Sequence, residues 1–147
     1  MAVHRHEHRV IFGDTDGMGI VYYANYFRYF ELSRSEWFRD FYKAPNQMIE
    51  DDNFMVVVKA HADYHCPAVY DDVLIIESWV PKEMIRAASL RFEYQILRKA
   101  DNKLLVSGYT THAFSDSTGR LKRMPREFVK ALQTLAEDRR VETDESR

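Results

Sequence analysis

The spacing of hydrophobic and polar residues predicts five β-strands. Alternation along a strand places successive side chains on opposite faces of a sheet, and a short apolar run between turn residues is typical of a buried strand. Pro67 and Pro81 each follow such a segment and end it, because proline cannot donate to a strand ladder. The predicted strands cover residues 3–12, 54–65, 73–80, 89–98 and 104–114.

One long helix is predicted after the first strand, over residues 22–41, where bulky apolar residues recur at helical spacing. The stripe consists of Tyr26, Phe30, Ser33, Trp37 and Phe41, widened by Phe27 and Phe38. A stripe of this width is typical of a helix that packs against a sheet. A second helix is predicted from Pro125 to about residue 137, since proline suits the first helical turn.

The predicted order is one strand, the long helix, four strands and a short helix. Short turns between consecutive strands favour an antiparallel sheet. The sequence therefore predicts an α+β fold, a single domain over residues 1–147 in which one sheet wraps around a central helix. The charged tail, residues 139–147, is expected to be frayed. The exposed edges of such a sheet predict a homo-oligomer, a dimer or a tetramer.

Composition narrows the functional classes. A formal net charge of −2 gives no general attraction to nucleic acid or to anionic membranes. The single cysteine, Cys66, excludes an intrachain disulfide and favours a reducing cytoplasm. We expect neither a signal peptide nor a membrane span, because no run approaches the roughly 20 apolar residues that a span requires. His4, His6 and His8 share one side of the first strand, where we interpret them as a solvated face rather than a metal site.

An acidic loop with three glycines, residues 13–19, joins the first strand to the long helix. The start of a helix exposes unpaired N–H groups and carries partial positive charge. A carboxylate held there can attack a carbonyl or activate water while an N–H group stabilises the oxyanion. Of the two candidates, we interpret Asp14 as a brace of the turn, because aspartates often accept local backbone hydrogen bonds.

Three motifs carry a family resemblance. The first comprises Gly13-Asp14-Thr15-Asp16, Gly19-Ile20-Val21-Tyr22-Tyr23, Asn25-Tyr26, Glu31 and Arg34; the second is Tyr64-His65-Cys66-Pro67-Ala68 followed by Asp71-Asp72; the third is Arg86 with Ser89-Leu90. Across residues 9–128 they resemble the 4-hydroxybenzoyl-CoA thioesterase-like branch of the hotdog-fold acyl-CoA thioesterases. The resemblance implies a hotdog fold and hydrolysis of a small aliphatic or aromatic acyl-CoA.

The resemblance also implies which residues act. Asp16 would be the catalytic carboxylate, as nucleophile or as general base, and the backbone N–H of Tyr23 would polarise the thioester carbonyl. Gly19, Tyr22 and Asn25 would bind the substrate near the reacting bond. The implied active sites lie at subunit interfaces, and no metal or separate cofactor is implied, because coenzyme A is part of the substrate.

Basic residues are expected to meet the phosphates of coenzyme A, because phosphates need clustered donors. By resemblance, Arg86 and Ser89 would contact the coenzyme A arm. Lys122 and Arg123 form a second basic group for the same ligand. Acyl carrier protein could replace free coenzyme A as the carrier of the acyl group.

Two other functions remain open at this stage. A hotdog enoyl-CoA hydratase or dehydratase usually has a histidine in the active loop, and residues 13–19 contain none. A non-catalytic acyl-CoA binding or sensor protein would not require Asp16. The chain has no G-x-S-x-G nucleophile elbow.

Overall fold

An antiparallel sheet wraps around one long helix. The computed structural model describes residues 1–138 and 141–143. The strands are β1 (Val3–Arg9), β2 (Phe54–Tyr64), β3 (Val73–Trp79), β4 (Ser89–Arg98), β5 (Lys103–Ser115) and β6 (Val141–Thr143). The helices are α1 (Asn25–Phe41), α2 (Pro45–Glu50) and α3 (Arg126–Glu137), and single 3-10 turns cover Phe12–Asp14 and Lys82–Met84.

The strand order in the sheet is β2-β5-β4-β3-β1-β6, and the first five strands in this order pair antiparallel with one another. The predicted α+β fold is therefore confirmed. The short strand β6 pairs parallel to β1, with Val141 opposite Val3, although it lies in the tail that we expected to be frayed. Three residues are too few for alternation to signal a strand. Residues 139–140 and 144–147 of that tail lie outside the described residues.

Helix α1 packs its aromatic stripe onto the inner face of the sheet. Phe30 is fully buried and stacks on Tyr94 of β4 with ring centroids 4.2 Å apart. Tyr29, which the predicted stripe omitted, is also buried. The helix lies so close to β5 that a Cβ atom on Gly108 would stand 3.0 Å from the Phe30 ring and 2.2 Å from the carbonyl oxygen of His61. The absent side chain of Gly108 thus permits this approach.

Strand β2 forms one edge of the sheet and leaves apolar side chains exposed. Val56, Val57 and Val58 have 49%, 47% and 60% of their surface accessible. A register shift between Val57 and Lys59 interrupts the alternation there. An apolar open edge of this kind favours pairing with another strand.

The interpretation of the β1 histidines as a solvated face is wrong for His4. His4 is fully buried, and its Nε2 lies 2.6 Å from a carboxylate oxygen of Asp40 near the end of α1. Within the described residues, no cluster of His, Cys, Asp and Glu side chains could hold a metal ion. None of the described helices combines the length and apolar character needed to cross a membrane.

Candidate active site

The acidic loop closes tightly around Asp16. The Asp16 N–H donates to the carbonyl of Ile20 at 2.9 Å, and the Gly19 N–H donates to the carbonyl of Asp16 at 3.0 Å. Gly19 has a φ of +80°, which glycine adopts without the steric cost of a side chain. One carboxylate oxygen of Asp16 accepts from the Met18 N–H at 2.8 Å, as in an Asx turn. Two backbone hydrogen bonds therefore fix the main chain of Asp16, and one local hydrogen bond holds its side chain.

The loop is tied to the start of α1 through the backbone carbonyl of Asp14. This oxygen accepts from the Tyr22 N–H and from the Asn25 Nδ2, each at 2.9 Å. The helix begins after Ala24, whose side chain supplies no cap. The predicted substrate-binding residue Asn25 thus uses one amide hydrogen to fix the helix entrance.

The helix entrance presents a free donor and exposed aromatic rings. In the described part of the chain, the Tyr23 N–H has no hydrogen-bond acceptor. The Tyr22 and Tyr23 side chains are 45% and 60% exposed, with ring centroids 4.9 Å apart. The backbone group that the resemblance assigns to the thioester carbonyl is therefore available to a ligand.

Asp14 has a different environment from Asp16. Its carboxylate accepts from the Tyr29 hydroxyl at 2.8 Å and from the Ile11 N–H at 3.3 Å, and it lies 3.3 Å from the His8 Nε2. Burial raises the pKa of Asp14, but the hydrogen bonds from Tyr29 and His8 outweigh it, so the net pKa lies below its usual value. The pKa of Tyr29 is strongly raised by its own burial and by Asp14, so its hydroxyl remains a donor. These contacts agree with the bracing role.

A small cavity of about 260 Å³ opens beside the loop. Its lining residues are Ile20, Val21, Tyr23, Tyr26, Tyr64, His65, Cys66 and Pro67. The walls are chiefly aromatic and aliphatic, which suits a small acyl group. The prediction that Tyr26 belongs to the core is confirmed, since Tyr26 is buried, and the residue also lines this cavity. Tyr64 had no predicted role in the site, although both tyrosines stand in the matching motifs.

A second and larger cavity, which we call the basic groove, lies between the start of β4 and α3 and has a volume of about 1030 Å³. Its cationic side chains are Arg86, Arg123, Arg126 and Lys130. Sequence reasoning missed Arg126 and Lys130, whose spacing of four places them on one face of a helix. Ser89 and Lys122 are outside its lining, and the Lys122 ammonium instead donates to the carbonyl of Asp52 at 3.0 Å.

The two cavities stand at opposite ends of the sheet. The basic groove adjoins the residues that precede Ser89, whereas Arg98, at the other end of β4, donates to the carbonyl of Pro67 in the small cavity. A strand of ten residues is roughly 30 Å long. One protomer therefore holds the predicted site residues as two separate groups: Asp16, Gly19, Tyr22, Tyr23 and Asn25 at one end, and Arg86, Ser89, Lys122 and Arg123 at the other.

Comparison with known proteins places this architecture in a family. The model of the thioesterase-like superfamily matches residues 10–132. The acyl-CoA thioesterase YbgC of Haemophilus influenzae is 32% identical over 130 residues, which cover 86% of this chain and 92% of that protein.

Solved structures of other proteins share the fold of this chain. A hypothetical protein from Aquifex aeolicus has a TM-score of 0.81 at 28% identity, with 87% of this chain and 98% of that chain covered. A 4-hydroxybenzoyl-CoA thioesterase variant solved with 4-hydroxybenzoyl-CoA has a TM-score of 0.79 at 24% identity. The superposition covers 88% of this chain and 98% of that chain, and at this identity it shows the shared fold alone. The chain, with its hotdog fold, belongs to the thioesterase-like superfamily.

Proposed function

We propose that this thioester hydrolase cleaves acyl-CoA thioesters of small aliphatic or aromatic acids, with Asp16 as its catalytic carboxylate. One observation carries the proposal: local hydrogen bonds hold Asp16 in the loop that precedes α1. Asp16 is close in sequence to the Tyr23 N–H, which has no acceptor among the described residues, and to residues of the small cavity. The acyl-CoA thioesterase activity named for the Haemophilus influenzae relative supports it.

Two chemical routes fit this arrangement. As a nucleophile, the Asp16 carboxylate attacks the thioester carbon, the C–S bond breaks, the coenzyme A thiolate leaves, and water then hydrolyses the mixed anhydride. As a general base, Asp16 takes a proton from a water molecule whose oxygen attacks the same carbon. The tetrahedral intermediate then collapses, the C–S bond breaks, and the proton passes to the leaving coenzyme A thiolate. In both routes the carbonyl oxygen gains negative charge, which the Tyr23 N–H and the helix dipole stabilise.

The volume of the small cavity limits the size of the acyl group that it can hold. Its volume of about 260 Å³ lies just below the range of roughly 300–1,000 Å³ for drug-sized ligands. The rings of Tyr23, Tyr26 and Tyr64 accommodate either an aliphatic or an aromatic group. Tyr22 and Gly19 border the reacting bond in this proposal.

The basic groove suits the phosphates of coenzyme A. Arg86 and Arg123 line it, and arginine binds phosphate oxygens through paired N–H donors. Arg126 and Lys130 add two further positive charges on α3. The prediction that Lys122 and Ser89 contact coenzyme A stays a prediction, and both residues lie outside the lining of the basic groove.

A second copy of the chain brings the two halves of the site together. Strand β2 runs from the groove end of the sheet at Phe54 to the loop end at Tyr64. Antiparallel pairing of two β2 edges places the loop end of one protomer beside the groove end of the other. We therefore propose a homodimer, alone or as half of a tetramer, with each site built from both protomers.

The decisive experiment follows thiol release from a panel of acyl-CoA thioesters, and from acyl carrier protein thioesters, with the wild-type chain and Asp16→Asn. A matched control is Asp51→Asn, which neutralises an exposed carboxylate at the end of α2. We expect release by wild type and control, and strong loss in Asp16→Asn. Binding without release would indicate a sensor, and hydration of an enoyl-CoA would indicate a hydratase.

A further inference from the structure

A cluster of three polar side chains joins the acidic loop to β1 and α1. His8 of β1, Asp14 of the loop and Tyr29 of α1 meet at distances of 3.3 Å for His8 to Asp14 and 2.8 Å for Tyr29 to Asp14. Tyr29 is 2% exposed, and the His8 and Asp14 side chains are 23% and 18% exposed. The rings of His8 and Tyr29 also contact each other, with centroids 4.8 Å apart. The cluster is a partly buried connection between the sheet, the loop and the helix.

Asp14 carries this connection to the reacting groups. Its carboxylate is held by the cluster, whereas its backbone carbonyl holds the Tyr22 N–H and the Asn25 amide. Tyr22 precedes the proposed oxyanion donor, and Asp14 stands two residues before Asp16. Since α1 has no side-chain N-cap, the Asp14 carbonyl is a principal restraint on the helix entrance.

We propose that His8 and Tyr29 are positioning residues for thioester cleavage: they fix Asp14, and through it they set the Tyr23 N–H and Asp16 relative to each other. The inference rests on the proposed function. Catalytic donors must stay within about 0.5 Å of their productive position, and a displacement of about 1 Å can cost about 100-fold in rate. Each donor to the Asp14 carboxylate therefore contributes to turnover.

The first test is Tyr29→Phe, which keeps the ring and removes only the hydroxyl. We expect kcat to fall about tenfold with KM within about twofold of wild type, because a misplaced oxyanion donor weakens binding of the transition state. The matched control is Tyr42→Phe. Tyr42 follows the last residue of α1, far from the loop, and its hydroxyl donates to Glu127 of α3. Equal kcat values for Tyr29→Phe and Tyr42→Phe would overturn the proposal.

A double-mutant comparison tests whether Tyr29 acts through Asp14. In an Asp14→Asn background, Tyr29→Phe should cause much less than its tenfold loss, and a full tenfold loss there would contradict the inference. For His8, we expect His8→Gln, which keeps a side-chain donor, to retain more of kcat than His8→Leu. Equal losses in these two variants would also contradict it.

A readout independent of activity separates this inference from the proposed function. In Tyr29→Phe, hydrogen exchange of the Tyr22 amide should speed up about tenfold, because its acceptor is less firmly held, whereas Tyr42→Phe should leave it unchanged. Unchanged exchange in Tyr29→Phe would refute the positioning role. A wild-type chain that releases no thiol, or an Asp16→Asn variant with normal kcat, would instead refute the proposed function.

Discussion

At the scale of single residues, two aspartates only two positions apart have different surroundings. Asp14 receives hydrogen bonds from a helix hydroxyl and a backbone N–H and also contacts His8, whereas the Asp16 carboxylate accepts the neighbouring Met18 N–H. A carboxylate held by several donors braces a structure. Among the described residues, the second carboxylate oxygen of Asp16 has no hydrogen-bond donor, which suits the proposed catalytic role.

This contrast predicts different outcomes for two matched substitutions. Asp16→Asn should lower kcat by at least about 10²–10⁴-fold while folding and oligomeric state stay near normal, because a neutral amide is neither a base nor a nucleophile. Asp14→Asn should chiefly lower the unfolding free energy, by about 1 kcal/mol for each weakened hydrogen bond, with kcat lowered about tenfold. Steady-state kinetics and urea unfolding measure both. If Asp14→Asn abolishes cleavage in a folded chain while Asp16→Asn stays active, the catalytic carboxylate is Asp14.

A buried histidine outside the site makes stability depend on pH. Burial and the positive charge of Arg34 lower the pKa of His112 from 6.5 to about 3. The folded chain therefore keeps His112 neutral, whereas the unfolded chain protonates it below pH 6.5. Its contribution to stability is complete above pH 6.5 and is lost as the pH falls towards 3.

We predict that the free energy of unfolding falls by about 1.4 kcal/mol for each pH unit below 6.5 through this one group, or roughly 2 kcal/mol by pH 5. His112→Gln cannot titrate, so its unfolding free energy should lack this component. Urea unfolding of both proteins between pH 5 and 7.5 measures the difference. Parallel pH profiles would show that His112 binds its proton equally well in the folded and unfolded chains, which contradicts the lowered pKa.

At the scale of elements, the contact of α1 with the sheet depends on the missing side chain of Gly108. We predict that Gly108→Ala lowers the unfolding free energy by about 1–3 kcal/mol or more, because the new Cβ meets the His61 carbonyl and the Phe30 ring. The control is Gly13→Ala, where nothing lies within 4 Å of an added Cβ. Urea unfolding with similar midpoints for both variants would mean that the helix and strand move apart at little cost.

The basic groove gives a prediction about binding rather than chemistry. Arg86→Gln combined with Arg123→Gln should raise KM for acyl-CoA more than it lowers kcat, because contacts to a remote nucleotide act equally on substrate and transition state. The effect should shrink with a pantetheine thioester that lacks the nucleotide. Lys122→Gln is the comparison variant and should change KM less, since its ammonium contacts Asp52 outside the groove. An equal rise in KM for acyl-CoA and for the pantetheine thioester would show that these arginines do not contact the nucleotide.

At the scale of the whole molecule, the two cavities of one protomer are too far apart to form one site. In the proposed dimer, antiparallel pairing of two β2 strands brings the small cavity of one protomer next to the basic groove of the other. We predict a dimer or tetramer by light scattering at micromolar concentration, and a species of 17.5 kDa alone would contradict it.

Subunit mixing tests the shared site directly. Asp16→Asn and the Arg86→Gln, Arg123→Gln protein should each be weakly active at low substrate concentration. Unfolding and refolding them together should restore about one quarter of wild-type activity, because half of the dimers are hybrids and each hybrid regains one of two sites. Mixing without such a gain would indicate that each protomer uses its own groove.

The sequence by itself determined the elements and the loop. Alternation and helical spacing are local properties, so the five long strands, α1 and α3 follow from them to within a few residues. The loop motif likewise stands within a few consecutive positions, so its resemblance to the thioesterases identifies Asp16 and Tyr23 as candidates without the fold.

Only the tertiary structure decided which distant residues meet. His4 contacts Asp40 across 36 positions, and Tyr29 contacts Asp14 across 15 positions, on a helix face that the stripe alone did not include. The separation of Arg86 and Arg123 from Asp16 within one protomer follows from strand order and direction. The position of α3 beside the start of β4 brings Arg126 and Lys130 to Arg86. Local patterns cannot encode such pairings, because burial energy depends on which surfaces pack together and not on neighbouring positions in the chain.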